Sequence, residues 1–289
     1  MRLASFLAIL SLFSLVLPIA ARADAALEKL ETGYEVAGWN GVGQLDIGGR
    51  GFCTAALISP TLVLTAAHCL HDPSTGKLVD ASKLRFLAGW RNGRADAYRD
   101  VRRALAHPSY VYSDRKSAGD VNYDLALLEL DSPIRLPSIQ PFDVGAPPAP
   151  GATVGVVSYA QGRSEVPSYQ KACQVLARRN SIVVMSCDID FGASGAPVFQ
   201  FVDGRPEIVA VVSGKAVIRG KPVSLGIAAE DPLKTLRAEL KASDGSRFVR
   251  APVPGDGGAV TGVLPTGGIR AGGMGAGGIR AGGAKFLRP

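Results

Sequence analysis

The chain has 289 residues, 47% of them hydrophobic and 20% charged, with a formal charge of +7. That length and apolarity exclude a disordered tail or a disulfide mini-scaffold, and only one apolar run approaches membrane-spanning length, which excludes a multi-span channel. The excess charge sits at the ends, +2 over residues 1–23 and +4 over 243–289; the near-neutral body lacks the basic face that neutralising phosphates requires, so no nucleic-acid partner is expected.

In chain order, Arg2 supplies a positive start, Leu3 to Ala20 is apolar, and Ala21-Arg22-Ala23 fits a small-x-small cleavage site before Asp24. Residues 1–23 read as a secretory signal peptide, removed on export to a secreted or periplasmic location, with no stable membrane insertion of the mature chain. Residues 24–40 read as an N-terminal arm or a short propeptide. Export leads to an oxidising compartment, where disulfides persist. Cys53, Cys69, Cys173 and Cys187 allow three connectivities, and local pairing of Cys53 with Cys69 and Cys173 with Cys187 is the simplest. Each such loop would contribute ~3 kcal/mol through chain entropy. A zinc site around His68, Cys69 and His71 is the rival, but the spacing does not match common zinc frameworks, and no metal is expected.

From 41 to 240 short apolar runs alternate with turn residues, as in Leu62-Val63-Leu64, Leu125-Ala126-Leu127-Leu128, Ile182-Val183-Val184-Met185 and Ile208-Val209-Ala210-Val211-Val212. Many short β-branched runs predict an all-β sandwich or barrel. The proline-rich stretch 133–150 reads as a connection between two β halves, about 41–135 and 136–230. Over 231–242, Asp231 as cap, Pro232 at the first helical position, and Leu233, Leu236 and Leu240 on one face predict a helix. Fourteen of the 35 glycines fall in the last 47 residues, where Gly267-Gly268-Ile269-Arg270-Ala271-Gly272-Gly273 recurs as Gly277-Gly278-Ile279-Arg280-Ala281-Gly282-Gly283. Residues 243–289 are therefore expected to be a disordered Gly-rich tail, since such a segment cannot offset the entropy of ordering its backbone. Attachment to a surface or partner through the repeated Ile-Arg units is a further reading of that tail.

Three segments carry chemistry: Phe52 to Cys69, Tyr123 to Leu130, and Asp190-Phe191-Gly192-Ala193-Ser194-Gly195-Ala196-Pro197-Val198. Acyl transfer to a serine needs a base for its proton, a carboxylate to orient that base, and backbone donors for the oxyanion. His68 can be the base, Asp124 the orienting carboxylate and Ser194 the nucleophile. Glycines on both sides of Ser194 permit a tight turn that aims the Gly192 and Ser194 N–H groups at one point. Asp124 is preferred over Asp120 because it directly precedes an apolar strand. His71 and His107 are expected to be structural or exposed, and Asp190 a turn residue.

Thr65-Ala66-Ala67-His68-Cys69, His107-Pro108-Ser109-Tyr110 with Asp124-Leu125-Ala126-Leu127-Leu128, and Gly192-Ala193-Ser194-Gly195-Ala196-Pro197 resemble the histidine, aspartate and serine motifs of the trypsin/chymotrypsin-like serine proteases. The resemblance covers roughly Gly41 to Lys241. It implies two packed six-stranded β-barrels with the active site between them, a serine endopeptidase acting on protein or peptide substrates, a Cys53–Cys69 disulfide beside the histidine, and a substrate-lining strand at Val212-Ser213-Gly214. Neither a cofactor nor an oligomer is expected. Gly41-Val42-Gly43-Gln44-Leu45 looks more like the bacterial secreted branch, which includes glutamyl endopeptidases, than the digestive one. That branch's glutamate specificity uses a histidine in the second half, and none follows His107. Asp188, six residues before Ser194, resembles the acid that floors the primary pocket and attracts Lys or Arg in trypsin-like members, although Cys187 beside it is unlike them. Ala193 stands where the family usually has an acid that pairs with a freed N-terminal amine, so activation by that pair is not expected. The alternative is a non-catalytic module of the same fold that binds peptides.

Overall fold

The computed structural model describes residues 24–113 and 120–243, and the backbone alone of 284–286. The expected signal peptide, 1–23, and almost all of the expected tail lie outside the described residues. The chain runs through strands β1 (Leu27–Lys29), β2 (Val42–Ile47), β3 (Phe52–Ser59), β4 (Leu62–Thr65), β5 (Leu84–Ala88), β6 (Ala97–Ala106) and β7 (Ala126–Leu130). It continues through β8 (Asp143–Val144), β9 (Thr153–Ala160), β10 (Arg163–Arg179), β11 (Ile182–Met185), β12 (Pro197–Val202), β13 (Arg205–Ile218) and β14 (Lys221–Ala228) to helix α1 (Glu230–Ala242) and β15 (Ala284–Phe286).

Strands β2 to β7 close a barrel in the order β2-β3-β4-β7-β6-β5. In the second half β10, β11, β14, β13, β12 and β9 follow one another, and β9 pairs with both β12 and β10, which closes six strands into a second ring. Strand β1 adds to β10 from outside, with Glu28 opposite Tyr169. Strand β15 pairs antiparallel with the end of β13, Phe286 opposite Ala216.

The pattern of burial explains why some strands alternate and others are apolar throughout. In β5 and β6, Leu84, Phe86, Ala97 and Val101 turn inward while Arg85, Tyr98 and Arg102 face solvent, the period-2 pattern of a sheet with one wet face. Strand β7 and the centre of β13 have no wet face. Ala126 and Leu128 fill the first barrel, and Leu125 and Leu127 point into the junction between barrels. In β13, Val209, Ala210 and Val212 fill the second barrel, while Ile208 and Val211 join that junction. The long apolar runs in the sequence are thus strands buried on both faces.

The junction is completed by pieces from outside the barrels. Trp39, in the N-terminal arm, packs its ring 4.8 Å from that of Tyr169 and 5.0 Å from that of Phe199. Leu233, Leu236 and Leu240 of α1 lie against the same cluster. The proline-rich connection is bonded to both halves: Ile134 N–H donates to Pro60 C=O and Phe142 N–H to Leu57 C=O on the first barrel, and Gly145 N–H donates to Ile208 C=O on the second.

Helix α1 starts slightly earlier than Asp231 as a cap would give. Ala229 occupies the cap position with no side-chain bond, and Asp231 sits inside the first turn, where it pairs with Lys234. Pro232 is accommodated there because first-turn N–H groups have no intrahelical acceptor. At the other end Arg103 donates to Leu240 C=O at 3.3 Å and Ser243 C=O at 3.0 Å, placing a cation on the negative end of the helix dipole. Arg103 and Arg102 share the carboxylate of Glu129. Burial would raise that carboxyl, but the hydrogen bonds from Arg103 and Arg102 hold it below its ordinary range. Arg103→Met removes the less exposed of the two donors on the Glu129 carboxylate and the donor to the Ser243 carbonyl, and is expected to cost about 1–3 kcal/mol. Arg102→Met, which removes a half-exposed guanidinium, should cost well under 1 kcal/mol, roughly the worth of a surface pair. Urea unfolding midpoints check both.

Candidate active site

His68 lies on the short helix Ala67–Leu70 that follows β4, and Asp124 stands between the short helix Asp120–Tyr123 and β7. Asp124 accepts the His68 backbone N–H on Oδ1 at 2.8 Å, and its Oδ2 lies 2.8 Å from the imidazole Nδ1. The hydroxyl of Ser213, from the second barrel, donates to the same Oδ2. The carboxylate is buried, at 3% exposure. Burial alone would raise its pKa, but the charge of His68, the donors from His68 and the Ser213 hydroxyl outweigh that and hold it below the ordinary carboxylate range. A carboxylate at Nδ1 selects the tautomer that carries its proton there, and leaves Nε2 as the acceptor, 4.0 Å from Cys69 Sγ.

The other histidines are packing groups, as expected. His71 stacks on Tyr112 with centroids 4.7 Å apart and bonds Ala67 C=O through Nδ1, and burial lowers its pKa. His107 stacks on Tyr123, the residue before Asp124, and burial lowers its pKa too. Cys53 is bonded to Cys69 and Cys173 to Cys187. Cys53, Cys69 and His68 form a cluster with metal-ligand reach, but both sulfurs are committed to the disulfide and cannot serve as thiolate ligands.

Ser194 arrives from the second barrel on a loop shaped by glycines in the left-handed region, Gly192 at φ 93° and Gly195 at φ 80°. Ala193 N–H donates to Asp190 C=O, Ala196 N–H to Ala193 C=O, and Gly195 N–H to Val212 C=O. The loop is seated against the first barrel. Thr54 N–H donates to Ser194 C=O at 2.8 Å, and Thr54 follows Cys53, which is disulfide-bonded to Cys69 next to His68. A Cβ on Gly195 would stand 2.1 Å from Thr65 Oγ1 and 3.1 Å from Ala66 N, which places this loop against the chain that leads into His68. Among the described residues, the N–H groups of Gly192 and Ser194 have no acceptor and the Ser194 hydroxyl has no hydrogen-bond partner. His68, Asp124 and Ser213 are therefore already bonded to one another, while Ser194 is brought to the same corner with its hydroxyl unengaged. Catalytic hydrogen bonds in unliganded enzymes often tighten only with substrate.

The expectation for Asp188 is not met. It is exposed, not a buried carboxylate at the floor of a pocket. The disulfide of Cys187 to β10 and the bond from Asp188 N–H to Gln170 Oε1 fix its backbone there, with its side chain in solvent. Ile189, its neighbour, is the buried residue. Gly214 has open space where a Cβ would project, in keeping with a cleft wall. Two features escaped the sequence reading. Thr54 Oγ1 donates to Gly192 C=O at 2.8 Å and accepts from Tyr159 N–H at 3.0 Å, joining the two barrels behind the loop. Lys215 bonds Asp190 Oδ1 at 2.7 Å and lies 4.5 Å from the centroid of the Phe191 ring. The polar Thr54 inside the apolar run Phe52 to Ile58 was the available signal for the first.

Two six-stranded barrels with a histidine, an aspartate and a serine at their junction define the trypsin-like class of folds. The chain belongs to the trypsin family, whose sequence model, Trypsin, matches residues 31–228. Serine protease 23 of Mus musculus is 30% identical over 212 residues, covering 63% of this chain and 54% of that protein. A glutamyl endopeptidase of Bacillus licheniformis is 26% identical over 156 residues, covering 54% of this chain and 47% of that protein. The chain thus spans about half the length of these curated relatives. A solved structure of a Glu endopeptidase in complex with MPD aligns with TM-score 0.60 at 18% identity, over 76% of this chain and 98% of that one, and shares the fold.

Gly195→Ala combines a strained φ with a Cβ 2.2 Å from Thr54 C=O, and is expected to lower stability by more than about 3 kcal/mol in thermal unfolding. Acid should destabilise the protein in two stages. His71 and His107 have lowered folded pKa values, so the unfolded chain binds protons more readily and stability begins to fall below about pH 6.5. Asp124 has a lowered folded pKa as well; its contribution is complete above the unfolded value and is lost as pH drops below about 4 toward the folded one. Melting temperatures from pH 8 to 3 check this, and Asp124→Asn should flatten the second stage.

Proposed function

We propose that the chain is a secreted serine endopeptidase that hydrolyses peptide bonds through Ser194, His68 and Asp124 and an acyl-enzyme. The observation that carries this reading is the bonded His68–Asp124–Ser213 set facing a serine loop whose Gly192 and Ser194 N–H groups are unengaged. In the first step Ser194 Oγ attacks the substrate carbonyl carbon and its proton passes to His68 Nε2. The oxyanion that forms lies between the Gly192 and Ser194 N–H groups, and Asp124 stabilises the imidazolium. Collapse breaks the C–N bond, with the proton on Nε2 going to the departing amine. Water then repeats the sequence on the ester, giving up its proton to Nε2 and releasing the acid and Ser194. No cofactor enters these steps.

The substrate is a protein or peptide in extended form along Ser213-Gly214, where the cleft wall is open. An exposed carboxylate gives a bound cation little advantage, so a Lys or Arg preference set by Asp188 drops out of the reading. The mature chain begins at Asp24, whose carboxylate accepts from Ser186 Oγ at 2.8 Å, and residues 24–40 are a retained arm tied to the second barrel by β1. The protease unit is 41–242, and it acts as a monomer.

Ser194→Ala should fold with an unchanged melting temperature and lose at least about a thousandfold in kcat on a fluorogenic peptide. A phosphonyl fluoride should label the wild type at Ser194 alone. The rival reading, a peptide-binding module without catalysis, is favoured by the unengaged Ser194 hydroxyl, and an unlabelled wild type that still binds peptide would establish it. Gly214→Val should keep the fold, since its side chain enters open space, and lower kcat/KM about tenfold or more for peptides while sparing reaction with the small phosphonyl fluoride.

A further inference from the structure

Oxyanion stabilisation requires the peptide units of Gly192 and Ser194 to be held in one orientation before substrate arrives. Ala193, within the loop, is fully buried and uncharged, so that position offers no ion pair to hold it. Resting on the serine-peptidase reading above, we infer that the loop from Asp190 to Ser194 is held in its working shape by a two-sided clamp, Thr54 of the first barrel on the inside and Lys215 of β13 on the outside, and that the two are positioning residues for the oxyanion site.

The inner side is specific. Thr54 is fully buried, and its hydroxyl proton has Gly192 C=O as its near acceptor at 2.8 Å, with Tyr159 C=O farther at 3.3 Å. Its lone pairs receive Tyr159 N–H, so the hydroxyl is itself oriented by β9. The Thr54 backbone N–H holds Ser194 C=O. One residue thereby fixes the Gly192–Ala193 and Ser194–Gly195 peptide units, which flank the Phe191–Gly192 and Ala193–Ser194 units whose N–H groups would meet the oxyanion and whose own carbonyls accept Gln161 N–H and Ala196 N–H. Rotation of either flanking unit would strand the part-buried carbonyl that Thr54 satisfies. The Phe52 ring closes the other direction, since a Cβ on Gly192 would lie 2.5 Å from it.

The outer side holds the start of the loop. Asp190 Oδ1 accepts both Lys215 Nζ and the Phe191 N–H, while Asp190 C=O accepts Ala193 N–H. The ammonium also covers the Phe191 ring, and Phe191 C=O is bonded to Gln161 N–H at 2.7 Å. Lys215 is two residues beyond Ser213, so the strand that holds Asp124 also holds the loop that carries Ser194. Hydrogen bonding to Lys215 lowers the Asp190 carboxyl pKa, which favours the carboxylate that accepts it.

The test compares Thr54→Val and Thr54→Ser, and Lys215→Met and Lys215→Arg, in the full mature chain. The readouts are kcat and KM on a peptide, the rate of Ser194 labelling by a phosphonyl fluoride too small to reach along the cleft, and the melting temperature. Thr54→Val should lose about tenfold or more in both kcat and labelling rate with KM within about twofold, and Thr54→Ser should recover most of it. Lys215→Met should lose about threefold to tenfold in the same two quantities, and Lys215→Arg should restore them. Wild-type labelling rates in both Thr54→Val and Lys215→Met, or a loss confined to KM, would overturn the inference. So would a fall in melting temperature without a fall in labelling. If Thr54→Val does not fold, Lys215→Met and Asp190→Asn decide by the same criterion. A wild type that does not label at all is a separate result: it removes the serine reading and the inference with it.

Discussion

A buried carboxylate is the point on which the two halves of this molecule agree. Asp124 comes from the first barrel, and one of its oxygens takes a hydroxyl from the second. The energetics demand this. An isolated carboxylate at that depth would lose several kcal/mol of solvation, on the order given for buried ions, unless donors replaced the water. Three donors do so, two from His68 and one from Ser213. Satisfying the charge therefore fixes the imidazole, its tautomer and the Ser213 segment of β13 at once. Both barrels must be correctly packed before the carboxylate is comfortable, which ties folding of the pair to the geometry of the site.

Local features of this arrangement could be read directly from the residues. Short apolar runs gave the strands, the proline-rich stretch pointed to a connection, and the order of His68, Asp124 and Ser194 with their flanking small residues pointed to the candidate site. Local pairing of the cysteines was the simplest choice and is what the fold adopts. What escaped was the contact made at a distance. Thr54 is one polar residue in a strand-like run, and its partners Tyr159 and Gly192 lie 105 and 138 residues away. No periodicity encodes such a meeting. The pairing of Lys215 with Asp190 was invisible for the same reason, since the two stand on different segments that only the closed second ring brings side by side.

Asp188 shows the converse error. A count of six residues before Ser194 measures contour along the chain, not where a side chain points. Here Cys187 is drawn onto β10, and the same count ends in solvent. Helix α1 erred more mildly. Asp231 and Pro232 are both first-turn residues, and the pattern fixed the turn but not which of them opened it.

The stretch from Ile134 to Gly145 joins the barrels, yet its backbone is bonded to Pro60 and Leu57 on one side and Ile208 on the other. A tether of that kind is a splint, not a hinge. Domain opening about it would have to break those bonds and expose Ile139 and Phe142, both buried. Relative movement of the two barrels is thereby opposed at this connection, and freedom is left to side chains and loop tips.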